Sequence, residues 1–156
     1  MINFSIHPMK SESEMDEKGY VHWKSWQETY DDLMPKEYLE AMTLDKCVKM
    51  AHKWNQNTLL LKVDDKVVGF SCFGKSRDME NANEMIALYL LKEYHGKKLG
   101  YALLKQTMTE MDPNTSTVLW VLDGNQRAID FYKKFGFAFT GNEKVTPFGK
   151  ELQMMM

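Results

Sequence analysis

The run EMIALYLL, residues 84–91, is apolar at nearly every position, so both of its faces must be covered, as in the central strand of a layered sheet. It leads straight into EYHGKKLG, where Gly96 and Gly100 stand at the point at which glycine weakens both a strand and a helix, with Lys97 and Lys98 between them. Helical periodicity follows in YALLKQTMTEM, residues 101–111, and stops at Asp112-Pro113. A buried strand, a glycine turn, a helix and then the β-rich STVLWVL, residues 116–122, form a strand-helix-strand crossover.

The flanking segments extend this pattern. FSIHPM reads as a first strand, followed by an acidic turn. In YVHWKSWQETYDDLM, residues 20–34, Trp23, Trp26, Tyr30 and Leu33 recur at helical spacing, and Pro35 breaks that helix and opens a short one. Thr43 suits the N-cap of LDKCVKMAHKW, with Asp45 in its first turn. NTLLLKV and KVVGFSCFG flank Asp64-Asp65 as a hairpin would, and KSRDMENAN is a polar loop. DGNQRAIDFYKKFG reads as a turn, a helix and a glycine cap, with FAFTGN and FGKELQMM as closing strands. The expected fold is α/β, a mixed and mostly antiparallel central sheet of six to seven strands flanked by helices. Residues 1–156 are the size of one domain.

Composition narrows the chemistry. Cys47 and Cys72 lie 25 apart without a CxxC or Cys/His pattern, and His7, His22, His52 and His95 show no ligand spacing, so neither a metal nor a disulfide is expected. No stretch approaches the ~18 apolar residues of a membrane span, and MINFSIHPMKSES has neither part of a signal peptide, which predicts a soluble, cytoplasmic protein with no membrane partner. The net charge of -2 and the lack of a basic helix face argue against nucleic acid. That charge is unevenly spread: ten acidic and four basic residues precede Lys46, whereas the chain from Lys46 onward holds sixteen basic and twelve acidic. Two oppositely charged halves suit a site where a cationic and an anionic substrate meet. A homodimer stays open.

The first amides of a helix lack internal partners and attract anions, and glycines with lysines in front of them suit a multiply charged one such as a diphosphate. The spacing fits neither GxxxxGK[ST] nor GxGxxG. A second segment narrows the choice. NQRAIDFYKKFGF carries Asn125, Ala128, Phe131, Tyr132, Gly136 and Phe137 at the positions of NxxAxxFYxxxGF, and with YHGKKLGYALL it resembles the Gcn5-related N-acetyltransferase superfamily. The phosphate loop of that family commonly reads [Q/R]xxGx[G/A]; here His95 and Lys98 replace the first two of those positions and Gly100 keeps the last.

The resemblance implies acetyl-CoA as co-substrate and direct transfer to a primary amine, such as a polyamine, a small metabolite or a peptide amine. It implies a pyrophosphate on the amides of Gly96, Lys97, Lys98, Leu99, Gly100 and Tyr101, and a pantetheine arm along Leu88, Tyr89 and Leu90. By the same resemblance Tyr132 is the general acid for the leaving thiolate, Glu84 the candidate base, and Asn125 a helix cap that also bonds the cofactor. Period-two alternation would put Glu84 on the sheet face of Leu90. Trp26 and Tyr30, with acidic residues beside them, would wall the acceptor site, and the polar function of His95 would be its backbone. The rival expectation is a non-catalytic acyl-CoA-binding regulatory or partner-binding module of the same fold.

Overall fold

The computed structural model describes residues 2–156. One seven-stranded sheet runs in the order β1-β2-β3-β4-β5-β7-β6. Its strands are β1 (Phe4–Pro8), β2 (Thr58–Val63), β3 (Lys66–Lys75), β4 (Asn83–Leu90), β5 (Thr117–Leu122), β6 (Ala138–Thr146) and β7 (Gly149–Met155). Every neighbouring pair is antiparallel except β4 and β5. The helices are α1 (Glu12–Tyr30), α2 (Lys36–Ala41), α3 (Leu44–Lys53), α4 (Leu99–Thr109) and α5 (Gln126–Phe135). The expected hairpin turns on Asp64 and Asp65, both at positive φ (51° and 63°), the mirror-image turn whose twist matches the strands it joins.

Adjacent strand residues point to opposite faces, and β3 shows which helices cover which face. Phe70 meets Lys18 and His22 of α1, whereas Ser71 hydrogen-bonds Thr107 of α4 at 2.7 Å. α1 and α4 therefore sandwich the sheet. α5 lies on the α4 side, where Ile129 and Tyr132 pack with Leu104, Leu119 and Val121.

Two boundaries differ from the sequence expectation. α1 begins at Glu12, eight residues before Tyr20, because Ser11 and Glu14 form a reciprocal capping box that starts the helix inside the acidic stretch. Gly19 then sits within α1 where α3 crosses it, and a Cβ there would lie 2.6 Å from the Val48 Cα. At the other end of the chain, β6 continues to Thr146, so that it and β7 form a hairpin of which β7 inserts next to β5.

Candidate active site

The site arises from a defect in the sheet. β4 and β5 pair only at Asn83 with Thr117 and Glu84 with Val118, after which they separate. A bulge accompanies the split. Phe73 pairs with Met85 but Cys72 with Ala87, leaving Ile86 as an extra residue, and such an insertion bends and twists its strand. Met85 and Leu88, three apart, consequently both pack on the α4–α5 side. The amide of Leu91 donates to the Val68 carbonyl, so by alternation the backbone groups of Leu88 and Leu90 face away from β3 and into the gap.

A cavity of about 660 Å³ fills this wedge. β4 contributes Met85 through Leu90 to its wall, β5 contributes Trp120 and Val121, and the remainder comes from the start of α4, from α5 and from the end of α1. At its mouth Gly96 adopts φ 76°, and a Cβ built there would meet nothing within 4 Å, so the backbone is open to a ligand. Lys98 is the N-cap of α4 in the left-handed conformation (φ 63°), and no side chain caps this helix. The first backbone bond of α4 runs from Ala102 to the Lys98 carbonyl, which leaves the amides of Leu99, Gly100 and Tyr101 ahead of it without helical partners. The Leu99 side chain is buried in the core, so this residue can offer a ligand only its amide. Lys98, Arg127 and Lys134 all line the cavity, whereas Lys97 does not.

His95 departs from its expected backbone function. Its Nε2 lies 2.8 Å from the Leu90 carbonyl; a carbonyl only accepts, so Nε2 carries the proton. Burial, more than any other influence, lowers its pKa and keeps the ring neutral. The imidazole thereby ties the loop to the last residue of β4.

At the inner end, Asn125 caps α5, its Oδ1 accepting from the Ala128 amide at 3.4 Å, and also lines the cavity. Tyr132 reaches the wedge from α5 between Phe131 and Phe137. Burial, and secondarily Tyr30, push its pKa upward, and its hydroxyl has no hydrogen-bond partner among the described residues.

Besides Lys97, two further expected site residues stand away from the cavity. Because of the bulge, Glu84 shares a face with Ala87 and Tyr89 and not with Leu90. It is 1% exposed, and its carboxylate accepts from the Arg77 amide, Nε and Nη2, so both oxygens are engaged and neither lines the cavity. Trp26 is buried behind the wall, where its Nε1 donates to the Tyr89 hydroxyl at 3.1 Å. Tyr30 does line the cavity, and its hydroxyl lies 3.0 Å from that of Tyr89. Sequence reasoning missed Arg127, Trp120 and the Tyr89 hydroxyl. Arg127 had a signal: a cation in the first turn of a helix opposes the helix dipole and so asks for a reason.

Residues 20–137 match the Acetyltransferase (GNAT) family, more than half of the chain. The chain belongs to this family. Over 89 residues it is 33% identical to a probable spermine N(1)-acetyltransferase of Bacillus subtilis subsp. natto, covering 52% of this chain and 59% of that one. It is 26% identical over 153 residues to the peptidyl-lysine N-acetyltransferase YjaB of Salmonella typhimurium, covering 96% and 95%. The crystal structure of the PaiA N-acetyltransferase of Thermoplasma acidophilum in complex with coenzyme A has the same fold, with a TM-score of 0.74 at 24% identity over 99% of this chain and 98% of that one. The protein is an acetyl-CoA-dependent N-acetyltransferase. No helix among the described residues is long and apolar enough to cross a membrane, and no metal-binding cluster occurs among them.

Proposed function

We propose that the protein acetylates a primary amine of a polyamine or of a lysine side chain, with Tyr132 protonating the leaving thiolate. The observation that carries this reading is the unpartnered Tyr132 hydroxyl at the inner end of a wedge whose one lip is an unpaired strand edge. Acetyl-CoA supplies an activated thioester. The residues present fit it: amides of Leu88 and Leu90 for an extended arm, free helix-start amides and open space at Gly96 for the diphosphate, and Lys98, Arg127 and Lys134 for its charge. A phenol kept neutral by burial holds a proton to donate to a thiolate formed beside it.

Glu84 serves a different end in this reading. With its carboxylate held by Arg77 it fastens the loop between β3 and β4, and the ammonium of the acceptor loses its proton to solvent. One of the two named relatives is a probable spermine acetyltransferase and the other a peptidyl-lysine acetyltransferase, and both of those acceptors present an alkylamine, which is the part the wedge would receive.

Release of free thiol from acetyl-CoA against polyamines, lysine peptides, amino acids and aminoglycosides tests the assignment, with thermal shift measuring cofactor binding separately. Tyr132→Phe is expected to lower kcat at least about tenfold while the acetyl-CoA-induced shift persists. Equal kcat in the two proteins would remove the hydroxyl from the reaction. Stabilisation by acetyl-CoA with no thiol release on any amine would instead make the protein a binding module.

A further inference from the structure

We propose that Trp26, Tyr89 and Tyr30 form a hydrogen-bonded relay that fixes the Tyr30 hydroxyl as the contact for the amino group of the acceptor, with Tyr89 as the positioning residue. This deepens the acetyltransfer reading and rests on it.

The polarity of the relay follows from the groups. An indole N–H only donates, so the Tyr89 oxygen accepts from Trp26 at 3.1 Å. The Tyr89 proton then needs an acceptor in a half-buried place, and the Tyr30 oxygen lies 3.0 Å away. Tyr30 is left with its own O–H and one lone pair. Tyr30 and Tyr89 both line the cavity at the end that also holds Tyr132, whereas Trp26 does not line it. The free lone pair is therefore available to a ligand N–H.

Packing holds the relay still. The Tyr89 ring stacks on His22 at 5.9 Å and 22°, Trp26 meets Tyr30 edge-on at 5.3 Å and 80°, and Phe148 closes on Trp26 at 5.5 Å. The Trp26 ring cannot turn without losing its bond to the Tyr89 hydroxyl. Tyr30 and Tyr132 come from helices on opposite faces of the sheet, so the cavity end has one phenol on each side: one to align the nitrogen, one to serve the sulfur. Burial raises the pKa of Tyr30 and Tyr89, so both stay phenols. Tyr30 accordingly orients the amine and does not deprotonate it. An alkylamine, with N–H groups to donate to that lone pair, is the matching ligand; a 1-chloroalkane of equal size, which has no N–H, is not.

The test uses the full chain labelled with ¹⁵N. The Trp26 indole N–H resonance, identified by its loss in Trp26→Phe, reports on the relay without turnover. Propylamine is expected to shift it in the wild-type protein but not in Tyr30→Phe, and 1-chloropropane, of similar size but without an N–H, is expected to shift neither. In kinetics, Tyr89→Phe and Tyr30→Phe keep their rings and lose only hydroxyls. Each should lower kcat/KM for the amine about tenfold, the loss of roughly one hydrogen bond, with KM for acetyl-CoA unchanged. Because they act as a unit, the double variant should lose no more than either single one. A Trp26 resonance that ignores propylamine, or losses that multiply in the double variant, would overturn the relay. An indole that answers propylamine in a protein that acetylates no amine would instead support the relay and sink the acetyltransfer reading.

Discussion

Lys98 shows how a single residue is asked to meet two demands at once. Its left-handed backbone aims the first amides of α4 at the cavity mouth, a geometry that glycine adopts freely and a residue with a Cβ adopts at a cost of roughly 1–2 kcal/mol. Its side chain adds a positive charge to the cavity lining beside Arg127 and Lys134. Lys98→Gly separates the two demands. Relief of the backbone outweighs the extra entropy that glycine gains on unfolding, so the variant should be more stable by about 0.5–1 kcal/mol in urea denaturation. Loss of the charge should weaken acetyl-CoA binding several-fold by calorimetry, and more so at low salt. A variant that is stabilised and binds acetyl-CoA more tightly would mean that the lysine side chain does not contact the phosphates. Glu84 makes the converse point: a buried carboxylate on a central strand is not a base when a guanidinium holds both of its oxygens.

At the scale of the element, α1 carries Tyr30, the proposed acceptor contact, and the start of the helix sets where that residue falls. Glu14 accepts from the amides of Ser11 and Lys10 and receives Lys62 at 3.0 Å, and the bond from Ser11 does most to bring its pKa down from 4.5 to about 2. A carboxylate whose folded pKa is lowered stabilises the fold above 4.5, and that stability is lost as pH falls from there towards 2. Glu14→Gln keeps an acceptor for the amides but loses the charge. It should cost about 1–2 kcal/mol at pH 7 and flatten the fall in stability between pH 4.5 and 2, both read from urea denaturation across pH. An unchanged pH profile would show that the box does not hold the helix.

The start of α1 is also where sequence and structure part. The stretch SESEMDEK has no apolar face of its own, so periodicity passes over it; Ser11 with Glu14 was the local sign that a helix begins there. Turns and loops governed by their own backbone were legible: Asp64-Asp65, the glycine segment before α4, and the Asn125 cap. The bulge at Ile86 was not, because one extra residue leaves no trace in a run that is apolar throughout, and this alone moved Glu84 to the other face. The relay was equally hidden. Its hydrogen bonds join residues 59 and 63 positions apart, beyond any window of local pattern, and the sequence placed Tyr89 only along the cofactor arm, with no sign of a hydroxyl partner.

For the molecule as a whole, the decisive event is the convergence of three phenols from three layers: Tyr30 from α1, Tyr89 from β4 and Tyr132 from α5. Each is held above the ordinary tyrosine value of 10.0, with burial as the largest cause in every case. A group whose pKa is higher in the folded protein than in the unfolded chain favours the fold fully below the unfolded value, and that contribution drains away as pH climbs through the folded one. The protein should therefore lose stability above pH 10, and these three of its seven tyrosines should ionise later than the others. Phenolate absorbance recorded with circular dichroism against pH reads both events. Expected is a late absorbance step that coincides with loss of the dichroism signal and that shrinks by about a third in Tyr89→Phe, the share of one phenol in three. If all seven tyrosines ionised near pH 10 with the dichroism intact, burial in the wedge between β4 and β5 would not be what holds the proton on Tyr132 for donation to the thiolate.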